Sequence, residues 1–105
     1  MSDRVVAFST VGKAEDAERI ARALVERRLA ACVNVLPGVV SVYRWKGEVR
    51  RDDELLLVIK TRAERLEALR EALLALHPYE LPELVALAIA SGHSPYLDWL
   101  DDSVS

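Results

Sequence analysis

At 105 residues the chain is long enough for one domain with its own core and too short for two. It is 51% hydrophobic and 30% charged, which excludes a disordered chain, and no apolar run approaches the roughly 20 residues that cross a bilayer. A net charge of −3 removes any electrostatic reason to expect nucleic acid or an acidic membrane as partner.

Val5 to Val11 is β-branched and apolar and closes at Gly12, which reads as a first strand. From Ala14 the period changes. Ala17, Ile20, Ala21, Leu24 and Val25 form one apolar stripe at helical spacing, with Glu15 and Asp16 in the first turn and Arg27 and Arg28 in the last. Ala31 to Tyr43 is strand-like, and Pro37-Gly38 marks a bulge or bend, because proline cannot donate to a ladder. Lys46-Gly47 reads as a hairpin turn. The return strand is polar from Glu48 to Glu54 and then apolar through Leu55-Leu56-Leu57-Val58-Ile59, so the hairpin tip is expected to project beyond the core.

Thr61 and Glu64 have capping-box spacing ahead of a second helix, whose buried face is Leu66, Leu69, Leu73 and Leu76. His77-Pro78 ends it, since the residue before proline is driven out of the α region. Leu84 to Ala90 reads as a fourth strand. Ser94-Pro95 starts a short last helix with Tyr96, Trp99 and Leu100 on one face.

The order β-α-β-β-α-β plus a terminal helix predicts one α+β domain over residues 1–105, a ferredoxin-like antiparallel sheet with a short C-terminal helix. Two helices cover one face of such a sheet. A face left in water should carry polar residues in alternation, yet Leu55–Ile59 and Leu84–Ala90 are apolar on both faces. At roughly 1.5–3 kcal/mol per buried aliphatic side chain, leaving that surface wet is costly, so a second subunit is expected to cover it. Four of the six aromatics, Tyr43, Trp45, Tyr96 and Trp99, gather in the hairpin and last helix, where they suit a subunit contact.

Chemistry-bearing motifs are few. A glycine-rich phosphate loop, a nucleophile elbow, a paired-cysteine zinc site and HExxH are all absent, and no base, nucleophile and oxyanion arrangement can be assembled, so an enzyme is not expected. The same strand order occurs in RNA-recognition domains, but the central strands offer only Phe8 for stacking. Cys32 is the sole cysteine, which excludes an internal disulfide and suits a reducing compartment. Met1 to Arg4 is polar and leads into a strand, so no signal peptide is expected and the cytoplasm is the default. His77 reads either as a helix-ending residue that donates to a carbonyl or as a metal ligand. Cys32 reads as a small core residue or a second ligand. His93 is expected in a solvated loop. Glu48, Asp52, Asp53 and Glu54 suit the solvated edge of the hairpin, or a hard cation.

Leu29-Ala30-Ala31-Cys32-Val33-Asn34, Pro37-Gly38 and Ser41-Val42-Tyr43-Arg44-Trp45-Lys46-Gly47 closely resemble the core of the CutA divalent-cation tolerance family. His77-Pro78-Tyr79-Glu80-Leu81-Pro82-Glu83 and Tyr96-Leu97-Asp98-Trp99-Leu100 fit its later blocks. The resemblance implies a PII-like homotrimer with hairpins pairing between subunits, linked to tolerance of copper and other divalent cations, with copper binding and no established catalysis. Carried over by position, it implies Cys32 and His77 as metal contacts for Cu²⁺ or another divalent ion. Ser9 and Leu76 stand where some members carry cysteine and histidine, and Ala88 where proline is common. The competing reading is a PII-like regulatory trimer that binds a small anionic metabolite between subunits, with Arg44, Lys46 and Lys60 as contacts. A third is a scaffold that only binds partners.

Overall fold

A computed structural model describes residues 3–105 of the protein. Strand β1 (Arg4–Val11) alternates strictly between half-buried and buried positions, as a strand with one face on a core must. Helix α1 (Ala14–Glu26) follows, and it buries Ala17, Ile20 and Leu24. Val25 departs from the expected stripe and is 41% exposed.

The arginine pair also departs from the expected last turn. The helix stops at Glu26, Arg27 is the cap and Arg28 takes a left-handed φ of 58°. Leu29 N–H then bonds Leu24 O and Arg28 N–H bonds Val25 O, the paired closure of a Schellman motif, and Leu29 packs in the core with Leu24.

Strands β2 (Cys32–Trp45) and β3 (Glu48–Arg62) form the long hairpin. Lys46 and Gly47 both have positive φ, 50° and 82°, as a two-residue turn between twisted strands requires. The register jumps from Leu36↔Leu56 to Val39↔Glu54, so two residues of β2, Pro37 and Gly38, oppose one of β3. The molecule measures 44 × 25 × 23 Å, and the outer hairpin is largely exposed, so the tip does project.

Thr61 is not a helix cap. It lies buried at the end of β3, where its hydroxyl donates to Leu29 O at 2.7 Å, tying the sheet to the α1 exit. A 3-10 turn (Ala63–Arg65) leads into α2 (Leu66–Leu76), which buries Leu69 and Leu73. Strand β4 is shorter than expected, Val85–Ala88, and α3 spans Ser94–Ser103 with His93, not Ser94, at its cap.

The strand order β2-β3-β1-β4, antiparallel at every neighbour, is the ferredoxin-like α+β sheet. Ala7, Val11, Leu57 and Ile59 face the core with α1 and α2. Ser9 shares that buried row, and its Oγ has no hydrogen-bond partner among the described residues.

The opposite face is covered only at one end. There Leu100 and Val104 of α3 pack with Ala31 and Ile89. Asp101 accepts from Arg4 Nε and Nη2 (3.0 and 2.7 Å) and from Arg62 Nη1 (2.7 Å). These bonds, first to Arg4 and then to Arg62, hold the Asp101 carboxyl at about 2, below the usual carboxylate range. Because the folded value is lowered, the contribution is complete above the ordinary carboxylate pKa of about 4 and disappears as pH falls through about 2. Acid titration followed by near-UV dichroism should therefore show α3 loosening in that window. Asp101→Asn should remove that step from the curve.

Candidate functional site

The bulge at Pro37-Gly38 shapes the site. A one-residue shift in register reverses which side chains face which way. Before the bulge, Cys32, Asn34 and Leu36 share a face with Lys60, Val58 and Leu56; beyond it, Ser41 and Tyr43 join Asp52 and Arg50 on that same face. Tyr43 Oη donates to Asp52, a bond that raises the phenol above its ordinary value.

The segment after α2 packs beside the end of β1, with His77 at Thr10 and Tyr79 at Gly12. His77 takes extended backbone at the helix end and is buried. Tyr79 N–H donates to its Nδ1 at 3.1 Å, so that nitrogen carries the lone pair and Nε2–H donates to Thr10 O at 2.8 Å. Both ring nitrogens are occupied in fixing the chain. Tyr79, its ring 4.6 Å from that of His77, then reaches Glu54 Oε2 with its hydroxyl at 2.6 Å. Burial, and secondly that bond, push the Tyr79 phenol well up, so it remains a donor across the physiological range. Gly12 makes room for it: a Cβ there would stand 3.1 Å from the Tyr79 hydroxyl.

Between the hairpin and this segment lies a cleft of about 830 Å³. Glu54 is its least exposed acid at 7%, and Asp52, Tyr43, Trp45 and Glu83 are among its other walls. Glu54 was expected on the solvated edge with its acidic neighbours, but Tyr79 covers it. A signal existed: Glu54 shares the alternation of Leu56 and Val58, a face that the sequence itself shows to be apolar.

The two residues expected as metal contacts do not meet within one chain. Cys32 stands opposite Lys60, which faces Val6, whereas His77 bonds Thr10, four residues farther along β1 and so about 13 Å away along the strand. Cys32 is only half-buried, with Sγ 3.8 Å from Asn34 Oδ1. Among the described residues no three His, Cys, Asp or Glu side chains are grouped so as to hold a metal ion. The expected anion contacts are likewise dispersed. Lys60 bonds Asn34 Oδ1 at 2.8 Å near the base, Lys46 stands over Trp45 at the tip, and Arg44 lines the cleft.

Residues 5–103 match the family model described as CutA1 divalent ion tolerance protein. The chain belongs to the CutA1 family. The divalent-cation tolerance protein CutA of Thermus thermophilus is 55% identical over 98 residues, 93% of this chain and 95% of that one. Human Protein CutA is 46% identical over 94 residues, 90% of this chain, and the chain spans about half (52%) of its length. The crystal structure of CutA from Xylella fastidiosa superposes with a TM-score of 0.96 at 45% identity, covering 99% of this chain and all of that one. The CutA1 fold thus extends over sheet, hairpin and last helix alike.

Proposed function

We propose that this chain acts as a cytoplasmic, non-catalytic homotrimer in tolerance of divalent cations, and that the trimer binds Cu²⁺ or a similar ion weakly at sites shared between subunits. The observation that carries the reading is the sheet face that α3 leaves open. Val6, Phe8, Leu56 and Val58 are only half-buried there, Leu36 is 42% exposed and Leu87 is 59% exposed. An apolar surface of this kind marks an interaction site, and a second copy of the chain, which carries the same apolar face, is the partner that matches it.

Cys32 and Asn34 lie on that face, so a neighbouring subunit would bring further ligands to the thiol. His77 can bind an ion only by giving up the bond to Thr10 or to Tyr79. This favours Cys32 as the contact and His77 as the residue that positions the Tyr79 segment.

Titration calorimetry with Cu²⁺ at about pH 7 tests the assignment, because copper heads the divalent affinity order and mere uptake proves little. Cys32→Ser should weaken saturable binding by about tenfold while leaving the melting temperature near the parent value. His77→Ala should do the reverse, lowering the melting temperature with little change in affinity. Loss of affinity in His77→Ala alone would return the role to the imidazole. Equal loss in His93→Ala would reduce the binding to a surface effect.

A further inference from the structure

The buried apolar side chains fall into two separate clusters. The main one lies between the sheet and helices α1 and α2. The second is small, formed by Ala31, Leu100 and Val104 with Ile89 packed against them. No residue of α3 belongs to the main core. Within the helix only Leu100 is buried, joined by Val104 at its cap. Its two largest side chains do not anchor it: Tyr96 and Trp99 are exposed and lie against each other, ring centroids 5.3 Å apart.

What the helix lacks in apolar anchoring is supplied by charge. Asp101 joins it to both central strands, at Arg4 where β1 begins and at Arg62 where β3 ends. Arg65 Nε donates to Val104 O at 2.7 Å and satisfies a carbonyl at the helix end. Hydrogen bonds between charged partners are roughly twice as strong as neutral ones, so these few contacts carry much of the docking. Irregular backbone over 89–93 joins the helix to β4. An element with few buried apolar contacts opens at lower cost than one seated in the main core.

We propose that α3 is an ionically clasped strap, which docks and undocks as a unit while the sheet, α1 and α2 stay folded, and that the bonds of Asp101 to Arg4 and Arg62 set how often it opens. Undocked, it bares Ile89, which follows Val85 and Leu87 in the row on the open face and bonds Arg4 O through its N–H. Opening therefore lengthens the apolar surface of the sheet. The strap depends neither on the copper reading nor on what covers that face.

Amide hydrogen exchange of the purified protein, read by mass spectrometry on α3 and α1 in one sample, tests it. After correction for intrinsic rates, the amides of 98–103 in the parent should exchange about tenfold or more faster than those of 20–26. Asp101→Asn should speed α3 by about a further tenfold and leave α1 as it was. Asp102→Asn is the control. Asp102 is exposed, its carboxylate accepts no hydrogen bond from the described residues, and its loss removes the same charge from the same turn, so any effect through the helix dipole is matched. It should change α3 little. The proposal is overturned if α3 in the parent is protected as strongly as α1, as it would be with a second copy clamped over it. Equal acceleration of α3 and α1 by Asp101→Asn would overturn it too, since the helix would then open only with the whole fold. So would equal effects of Asp101→Asn and Asp102→Asn on α3, which would leave the clasp no role.

Discussion

Val58→Asp should convert the proposed homotrimer into monomers. Sedimentation equilibrium should read roughly three times the chain mass for the parent and 11.7 kDa for the variant. Val58 lies in the inner part of β3 on the open face, between Phe8 of β1 and Asn34 of β2. Within one chain it is half-buried, so an aspartate there can reach water and the monomer keeps its fold. Beneath a second subunit the same carboxylate is buried without a partner, at a cost of several kcal/mol per contact, repeated at each interface. Far-UV dichroism should show the sheet intact. An unchanged mass would mean that this face is not where subunits meet, and the homotrimer would then have to rest on the hairpin alone.

Leu24→Ala should destabilise the protein by about 2–5 kcal/mol in denaturant unfolding, the range for deleting a fully buried leucine. Leu24 has no exposed surface, and it packs in the main core with Leu29, the residue that closes the end of α1. The truncation therefore opens a cavity and slackens the Schellman closure together. Val25→Ala is the comparison. At 41% exposure it should cost about 0.5 kcal/mol or less. A similar loss in both variants would mean that α1 buries a broader stripe than Ala17, Ile20 and Leu24.

That pair shows where periodicity stops being informative. Leu24 and Val25 both fit a 3.6-residue stripe, and adjacent residues lie 100° apart on a helix, so only the position of the sheet decides which is covered. Thr61 makes the same point for local motifs. Its spacing to Glu64 satisfies a capping box, but β3 runs on to Arg62 and the hydroxyl is used by Leu29 O instead. Ser94 lost its capping place to His93 by a single residue, a shift within the usual uncertainty of helix ends.

What the residues determined by themselves is the element order and the punctuation. Pro37-Gly38, Lys46-Gly47 and His77-Pro78 act through backbone dihedrals and missing donors, which are local properties and act wherever the chain goes. The apolar character of both faces of β3 was legible for the same reason, because each residue carries its own hydrophobicity. The cleft was decided by tertiary structure. The bulge turns Tyr43 onto the face of Asp52, and Tyr79 closes over Glu54 from 25 residues away, so an acid that looks solvated in the sequence becomes buried. The separation of Cys32 from His77 was decided in the same way. Register and strand order place them at opposite ends of one sheet, and no local spacing encodes a distance between segments that meet only after folding.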